Sequence, residues 1–398
     1  MGDVIDVEDF RLEVRAWLDE RYDRLPPDAD DGRLDVISRA PDGHQRLVER
    51  AERFQQLLHE AGFSGLDLPK AYGGKGLARA HVKVLSEELR RYDTPSLVPL
   101  GIGPTLAKST LLAAGTEKQK RTFLPGLASG QERWCQLFSE PDAGSDLVSL
   151  RTRAVFDGDV WVVNGQKVWS SYAVGADFGM LLARTDPNAD RPQAGITMFI
   201  LPMSTPGVSV RPLVDIAGGE HFNEVFLAHV QIPAELVLGE VNGGWGVSAG
   251  TLSGERSGYM GGSGNGRRRR QVVAAATAAS RLDDPVLRQR IVLIITSERI
   301  LEFVRDRFVS GLLCDGNRAA GSMMKLAAGT LEQQCAELLA DLGGASSQAW
   351  DPDDPDGDIA SHGLNATRQA RIAGGTHEIQ RNLVGERVLG LPREPRIT

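Results

Sequence analysis

The sequence has few of the residues that would place the protein in a specialised class. Its three cysteines, Cys135, Cys314 and Cys335, are far apart and form no CxxC pair, so neither a disulfide framework nor a metal site is indicated. Acidic residues outnumber basic ones, 53 to 45, which leaves no charge excess for nucleic acid. The start lacks the pattern of a signal peptide, and the longest aliphatic run, residues 291–295, is too short to cross a bilayer. We expect a cytoplasmic protein, neither secreted nor inserted in a membrane, that acts on a small molecule.

The chain is long enough for two or three domains, and its hydrophobic pattern changes twice along its 398 residues. Apolar residues recur at helical spacing up to about residue 130, as at Phe10, Val14 and Leu18. Short β-branched and aromatic runs follow, and helical spacing then returns. The pattern predicts an N-terminal helical domain (1–133), a middle β domain (134–239) that forms an antiparallel barrel or sandwich, and a C-terminal helical domain (240–398).

Turn residues divide the middle region into strands. Asp157-Gly158 and Asn164-Gly165 each follow a β-branched run, which predicts two consecutive hairpins. Three further strands are predicted within 178–183, 196–201 and 224–230. In the last region, apolar residues between Ile291 and Val304, Ile300 included, predict a buried helix.

Three motifs stand out in this framework. They are residues 138–146 (FSEPDAGSD), residues 164–171 (NGQKVWSS) and residues 374–381 (GGTHEIQR). In these motifs, and in the order and size of its three regions, the chain resembles the acyl-CoA dehydrogenase family of flavoproteins over essentially its whole length. A flavin needs hydrogen-bond donors at the ring edge, a flat apolar wall and glycine where the backbone approaches closely, and these segments contain all three.

The resemblance implies a set of cofactor and substrate contacts. Ser139 and Ser171 would hydrogen-bond the isoalloxazine of FAD, and Trp169 would pack on its back face. Ser145 would touch the acyl-CoA near its pantetheine. Further contacts would come from Thr376 and Glu378 to FAD and from Arg256 to substrate, whereas the helical context of His377 favours packing or an interface.

The position of the catalytic base departs from the commonest family pattern. Many members carry a glutamate immediately before the Gly-Thr of the C-terminal motif, where this chain has Gly374. Isovaleryl- and long-chain-type members place it instead on the first long helix after the β domain, before an arginine, and this chain has Glu255-Arg256 there. Glu255 is therefore our candidate base, with a solvated helix residue as the alternative reading. The Gly374 N–H would bind the thioester oxygen.

Two family features that reach a neighbouring subunit's FAD are missing. The chain has no Arg-x-x-Phe-Gly stretch ahead of Pro285, where Ala279 stands, and it has Ala340 in place of a glutamine before Gly343-Gly344. This favours an α subunit of an α2β2 assembly with a paralogue over a homotetramer, although both stay open. The run Arg267 to Arg270 is interpreted as a solvated or subunit-interface face, with binding of CoA or FAD phosphates as the alternative.

The sequence thus predicts an FAD-dependent acyl-CoA dehydrogenase of fatty-acid or steroid side-chain β-oxidation. It would form a trans-2-enoyl-CoA and pass electrons to an electron-transfer flavoprotein. One alternative is a flavin oxidase or monooxygenase on the same fold. Another is a non-catalytic structural subunit of a heteromeric dehydrogenase.

Overall fold

A computed structural model describes residues 5–26, 41–258, 266–345, 347 and 363–393. The chain divides into two compact units, of which the first comprises Met1–Asp215 and Gly219–Thr251 and the second Ile216–Gly218 and Leu252–Thr398. The domain boundaries at 133–134 and 239–240 stay a prediction. No described helix combines the length and apolar composition that crossing a membrane requires.

Two helices of the first unit, its first and its last before the sheet, begin at a side-chain cap. Asp6 caps the first helix by accepting the Glu8 N–H at 2.8 Å, and one face of that helix is buried through Phe10, Val14 and Leu18. The last helix before the sheet begins with a Thr116/Gln119 capping box. The bounds are α1 (Val7–Asp19), α2 (Pro41–Glu60), α3 (Arg79–Leu89), α4 (Lys108–Ala114) and α5 (Glu117–Ser129).

The sheet of the first unit has the order β1-β4-β2-β3-β7-β6, with β5 paired to β4. Its strands are β1 (Trp134–Leu137), β2 (Arg153–Asp157), β3 (Val160–Lys167), β4 (Phe178–Arg184), β5 (Ile196–Pro202), β6 (Val208–Leu213) and β7 (Phe222–Pro233). Pairing is antiparallel in β2–β3, β3–β7, β4–β5 and β6–β7, whereas β1 runs parallel to β4. Apolar side chains such as Leu181, Phe199 and Val230 form its core. The predicted fold class is confirmed.

The second predicted hairpin turn is wrong. Asn164 and Gly165 lie inside β3, which continues to Lys167 and bulges against β7 between Val163 and Gly165. The Asn164 side chain accepts the N–H of His229 on β7 at 2.9 Å, so this side chain stabilises the bulge and is not part of a hairpin turn. A Cβ on Gly165 would lie 2.7 Å from the Cα of Thr152, and this close approach explains the glycine.

Helices make up most of the second unit. The bounds are α6 (Gly244–Gly258), which runs across the division between the units, α7 (Arg267–Ala278), α8 (Pro285–Val309), α9 (Gly321–Gly343) and α10 (His377–Leu383). Asp284 caps α8 by accepting two N–H groups at 2.9 and 3.1 Å. Ile291 and Ile294 are buried as predicted, but Ile300 is 55% exposed, because nine residues of helix place it on the face of α8 opposite Ile291.

Candidate active site

The first motif forms a tight turn directly after β1. Glu140 and Ala143 exchange backbone hydrogen bonds of 3.1 and 3.0 Å across Pro141 and Asp142. Ser139, just before this turn, is half-buried, and its carbonyl accepts the Val168 N–H at 2.9 Å. The first two motifs are therefore joined at Ser139.

The second motif continues from β3 into a loop fixed by residues of β7 and the segment before it. Ser170 and Asn223 exchange backbone hydrogen bonds of 3.1 Å, and Tyr172 donates its N–H to the His221 carbonyl at 2.8 Å. The buried Asn223 side chain also accepts the N–H groups of Ala173 and Val174, at 2.7 and 3.1 Å. This network holds the loop in one conformation.

The loop exposes an indole in an unusual backbone conformation. Trp169 has φ 60° and is 58% exposed, with its ring edge-to-face against Phe222 at 5.6 Å between centroids. The neighbouring Ser170 is buried, and its Oγ has no hydrogen-bond partner among the described residues. The half-buried Ser171 follows. An exposed flat apolar face beside hydroxyl groups fits the edge and back of a flavin ring.

A buried ion pair underlies both motifs, and the sequence analysis missed it. Lys167 Nζ lies 2.8 Å from Glu140 Oε1, and the Glu140 carboxylate also accepts the N–H groups of Arg151 and Thr152 at 2.6 and 2.9 Å. Burial lowers the pKa of Lys167 to about 8, against the opposing effect of Glu140. Burial alone would raise the pKa of Glu140, but the Lys167 ammonium and these donors hold it below its usual value. The two motifs contain both residues, but the sequence does not show which of the three acids of the first motif meets Lys167.

The predicted substrate contact Ser145 lies on the surface. It is exposed and precedes a short 3-10 helix, Leu147–Ser149. Within the described ranges, no group of three or more histidine, cysteine or carboxylate side chains could hold a metal ion.

The candidate base lies on α6, whose first half is held in the first unit. A Cβ on Gly244 would lie 2.5 Å from the Met198 N, and Thr251 Oγ1 is 2.8 Å from Thr110 Oγ1. The backbone of Glu255 and Arg256 belongs to this helix, whereas their side chains lie outside the part of the chain that the structure describes. Their roles stay predictions.

The C-terminal motif forms a glycine turn that leads into α10. Gly374 and Gly375 have φ 66° and 95°, both in the left-handed region. The buried Gln380 side chain donates to both their carbonyls, at 2.9 and 3.2 Å. The Gly374 N–H donates no hydrogen bond to any of the described residues. The predicted oxyanion donor thus has no acceptor within the described ranges, in a turn whose carbonyls are fixed.

The two predicted cofactor contacts of this motif differ in surroundings. Thr376 caps α10 by accepting the Ile379 N–H at 3.3 Å. Glu378 is exposed, 3.6 Å from Arg381, and its own N–H and Thr376 lower its pKa. His377, by contrast, is 1% exposed, which agrees with the predicted packing role.

The arginine run on α7 is not a solvated face, so that part of the expectation is wrong, while a subunit-interface face stays a prediction. Arg267 and Arg268 both pair with Glu332 of α9, the former at 2.9 Å, and Arg268 is 5% exposed. Burial would raise the pKa of Glu332, but the two guanidinium groups lower it. Glu298 of α8 accepts the N–H groups of Arg268 and Arg269 at 3.2 and 3.1 Å. These arginines join three helices within one unit.

The structure thus brings Ser139, Trp169 and Ser171 together in the first unit. It places Gly374, Thr376 and Glu378 on one turn and helix start in the second. Comparison with known proteins defines the class. The chain matches the acyl-CoA dehydrogenase N-terminal domain over residues 6–131, the middle domain over 135–230 and the C-terminal domain over 242–389.

Two relatives over nearly the whole chain are acyl-CoA dehydrogenases by name. The chain is 36% identical to acyl-CoA dehydrogenase IpdE1 of Mycobacterium tuberculosis, over 98% of this chain and 99% of that protein. It is 34% identical to IpdE1 of Mycolicibacterium smegmatis, over 98% and 99%. The chain therefore belongs to the acyl-CoA dehydrogenase family, whose members are flavin-dependent oxidoreductases.

Two solved structures extend the comparison. The steroid ACAD Tcur3481-Tcur3483 has a chain that superimposes with a TM-score of 0.80 at 28% identity, with 98% of each chain covered. The ChsE4-ChsE5 complex from Mycobacterium tuberculosis has a chain with a TM-score of 0.75 at 25% identity, which covers 99% of this chain and all of that one. Both are assemblies of two different chains.

Proposed function

We propose that this acyl-CoA dehydrogenase binds FAD and converts an acyl-CoA thioester to its trans-2-enoyl-CoA, with an electron-transfer flavoprotein as electron acceptor. The observation that carries the proposal is the junction at Ser139, which joins the first motif to the loop that exposes Trp169 and Ser171. A polar and aromatic surface of this kind, in a chain of a flavin-dependent family, supports a flavin site.

Each residue of the proposed site has one physical task. Trp169 presents a flat apolar wall, while Ser139 and Ser171 provide hydroxyl donors at the ring edge. These three residues would hold FAD, whose chemistry would be to provide the acceptor for the hydride from Cβ. Glu255 takes the proton from Cα, and because a carboxylate is a weak base in water, the proton must be made more acidic by the thioester carbonyl.

Gly374 supplies that activation in our proposal. Negative charge develops on the thioester oxygen as the proton leaves, and the Gly374 N–H is suited to stabilise it. The left-handed φ of 66° at Gly374 is also unfavourable for a side chain, which supports a base located elsewhere. Thr376 and Glu378 would contact FAD, and Ser145 and Arg256 the acyl-CoA.

The substrate is proposed to be a steroid-derived acyl-CoA, because one structural relative is described as a steroid ACAD. A fatty acyl-CoA is the alternative. Anaerobic reduction of the purified enzyme by a panel of both thioesters, followed as loss of flavin absorbance, separates the two.

The test of the reaction is a substitution of the base. Glu255→Gln keeps the shape of the side chain but cannot accept the α-proton, so we expect the flavin spectrum to be retained and turnover to fall by several orders of magnitude. The control is Glu240→Gln, an exposed residue shortly before α6, which should leave turnover unchanged. Near-normal turnover of Glu255→Gln would assign the base to another residue.

Oxygen reactivity tests the oxidase or monooxygenase alternative. The enzyme is first reduced anaerobically by acyl-CoA and then mixed with air. A dehydrogenase should reoxidise slowly in air and rapidly with an electron-transfer flavoprotein, whereas rapid reaction with air would favour the alternative.

A further inference from the structure

Lys167 and Glu140 form an ion pair that the proposed chemistry does not use. Lys167, the last residue of β3, is fully buried, and Glu140 is 7% exposed. Burying two opposite charges carries a desolvation penalty that an apolar pair of similar size would avoid. Both groups nevertheless make several hydrogen bonds, which stabilise the buried pair.

The contacts of this pair are centred on Ser139. The Lys167 ammonium donates to the Phe138 carbonyl at 3.1 Å and to the Glu140 carboxylate at 2.8 Å, one on each side of Ser139. Val168, the first residue after β3, donates its N–H to the Ser139 carbonyl at 2.9 Å. Residues 138, 139 and 140 are thus each bonded to Lys167 or Val168.

The other side of the pair reaches the segment that leads into β2. Glu140 accepts the N–H groups of Arg151 and Thr152 with the same carboxylate that binds Lys167. Only Val168 separates Lys167 from the loop that contains Trp169 and Ser171. Any change in the Lys167 side chain therefore acts directly on the relative placement of the two motifs.

We propose that Lys167 is a positioning residue that holds Ser139 in register with the loop of Trp169 and Ser171. This inference rests on the proposed flavin site, because a flavin ring that contacts both Ser139 and the loop of Trp169 and Ser171 requires a fixed spacing between them. Without the Lys167 ammonium, residues 138–140 would keep one of their three bonds to Lys167 and Val168, and Glu140 would hold an unpaired buried charge.

The test compares three variants as purified holoenzymes. Lys167→Met keeps an unbranched side chain, one atom shorter, and removes the ammonium group. Lys118→Met is the matched control, because Lys118 pairs with Glu235 on the surface of the same unit. Val163→Ala, in the buried part of β3, controls for general loss of stability.

We expect Lys167→Met to weaken FAD binding at least tenfold and to shift the flavin absorption bands. Lys118→Met should do neither. Val163→Ala should lower the melting temperature with a smaller loss of FAD affinity. If Lys167→Met and Val163→Ala lose FAD affinity in the same proportion to their loss of stability, Lys167 is merely structural and the proposal is wrong.

The double variant Glu140→Gln/Lys167→Met separates the effect on the placement of Ser139 from the effect on folding stability. It no longer buries an unpaired charge, so we expect it to regain folding stability but not FAD affinity. Joint recovery of both would overturn the proposal. If Lys167→Met does not fold, the double variant replaces it in the measurement of FAD affinity.

Hydrogen exchange of the protein without FAD provides a readout independent of the proposed function. We expect the Val168 amide, which is bonded to Ser139, to exchange at least tenfold faster in the double variant than in the wild type. Unchanged exchange would refute the positioning role. If the wild type binds no FAD, the proposed function fails, and the exchange rates still decide the role of Lys167.

Discussion

Trp169 and Tyr172 have φ angles of 60° and 55°, in a region that costs a bulky side chain of order 1–3 kcal/mol. The surrounding hydrogen bonds of Asn223 and His221 maintain this conformation. Tyr172 is further held by a stacked His44 of α2, with 5.1 Å between ring centroids. The exposed indole is therefore placed by its neighbours, and its own backbone preference opposes that placement.

Removal of ring contacts should affect FAD before it affects folding. Trp169 is exposed and Ser171 half-buried, so truncation to alanine leaves the core of the sheet intact. We expect Trp169→Ala and Ser171→Ala to lower the FAD content of the purified protein and shift its visible spectrum, with far-UV circular dichroism unchanged. Normal flavin content and spectrum in both variants would refute their proposed contacts.

Lys167 should also give stability a distinctive pH dependence. Its pKa is about 8 in the folded protein and near 10.5 when exposed, so between these values the unfolded chain binds more protons. The free energy of unfolding should then rise with pH across this window, by at most about 1.4 kcal/mol per unit.

Urea unfolding of the wild type and Lys167→Met at several pH values measures this effect. The difference between them should be constant below about pH 8 and should grow in favour of the wild type toward pH 10. Parallel profiles over the whole range would contradict the lowered pKa.

At the scale of elements, α7 depends on a cap from another helix. Gly266 precedes α7 and offers no side-chain cap, while the fully buried Glu298 of α8 accepts two of its first N–H groups. Carboxylates at helix N-termini are favourable because they meet unsatisfied donors and the positive end of the helix dipole.

Glu298→Gln should therefore destabilise the second unit by about 1–3 kcal/mol, because the two backbone N–H donors would then face a neutral amide in place of a carboxylate. Urea unfolding monitors the loss, and hydrogen exchange should show it first in α7. Glu337→Gln, at a 43% exposed side chain of α9, is the control and should have little effect. Equal stability of the two variants would show that the cap contributes little.

The sequence predicted elements best where the local pattern coincided with burial. Strands β4 and β5 were found at nearly the predicted bounds, and the residues noted for their helical spacing, Phe10, Val14 and Leu18, are the buried face of α1. Asn164-Gly165 was misinterpreted because the same residues suit a hairpin turn and a bulge, and only pairing with β7 decides between them.

β6 was missed because its residues alternate between half-buried and exposed, without a clear apolar run. Within the candidate site, motif resemblance located Ser139, Trp169 and Ser171. The Lys167–Glu140 pair could not be predicted, because it depends on contacts between residues 27 positions apart in the chain.

At the scale of the whole molecule, the missing family features bear on assembly. Ala279 and Ala340 lack side chains that could reach a neighbour's FAD. Nor is Arg281 a ready substitute, since it donates to the Asp341 carbonyl and to Asp284, both at 3.1 Å. A partner subunit that supplies such contacts would be worth about 1.5–3 kcal/mol per charge-assisted hydrogen bond.

We therefore expect the chain expressed alone to purify with substoichiometric FAD. Co-expression with a paralogue should raise the content to about one FAD per heterodimer, as measured by absorbance against protein concentration. A homotetramer of this chain with FAD in every subunit would contradict it and would also exclude a purely structural subunit.

The parallel pairing of β1 with β4 has a consequence for the order of folding. Trp134 pairs with Phe178, 44 positions later, whereas the β2–β3 hairpin closes over the two-residue turn of Gly158 and Asp159. Closing a long loop costs more chain entropy than closing a short one, so the hairpin can form early and β1 must wait for β4. The segment after β1 that contains Ser139 is thus expected to be among the last parts of the first unit to become protected during refolding.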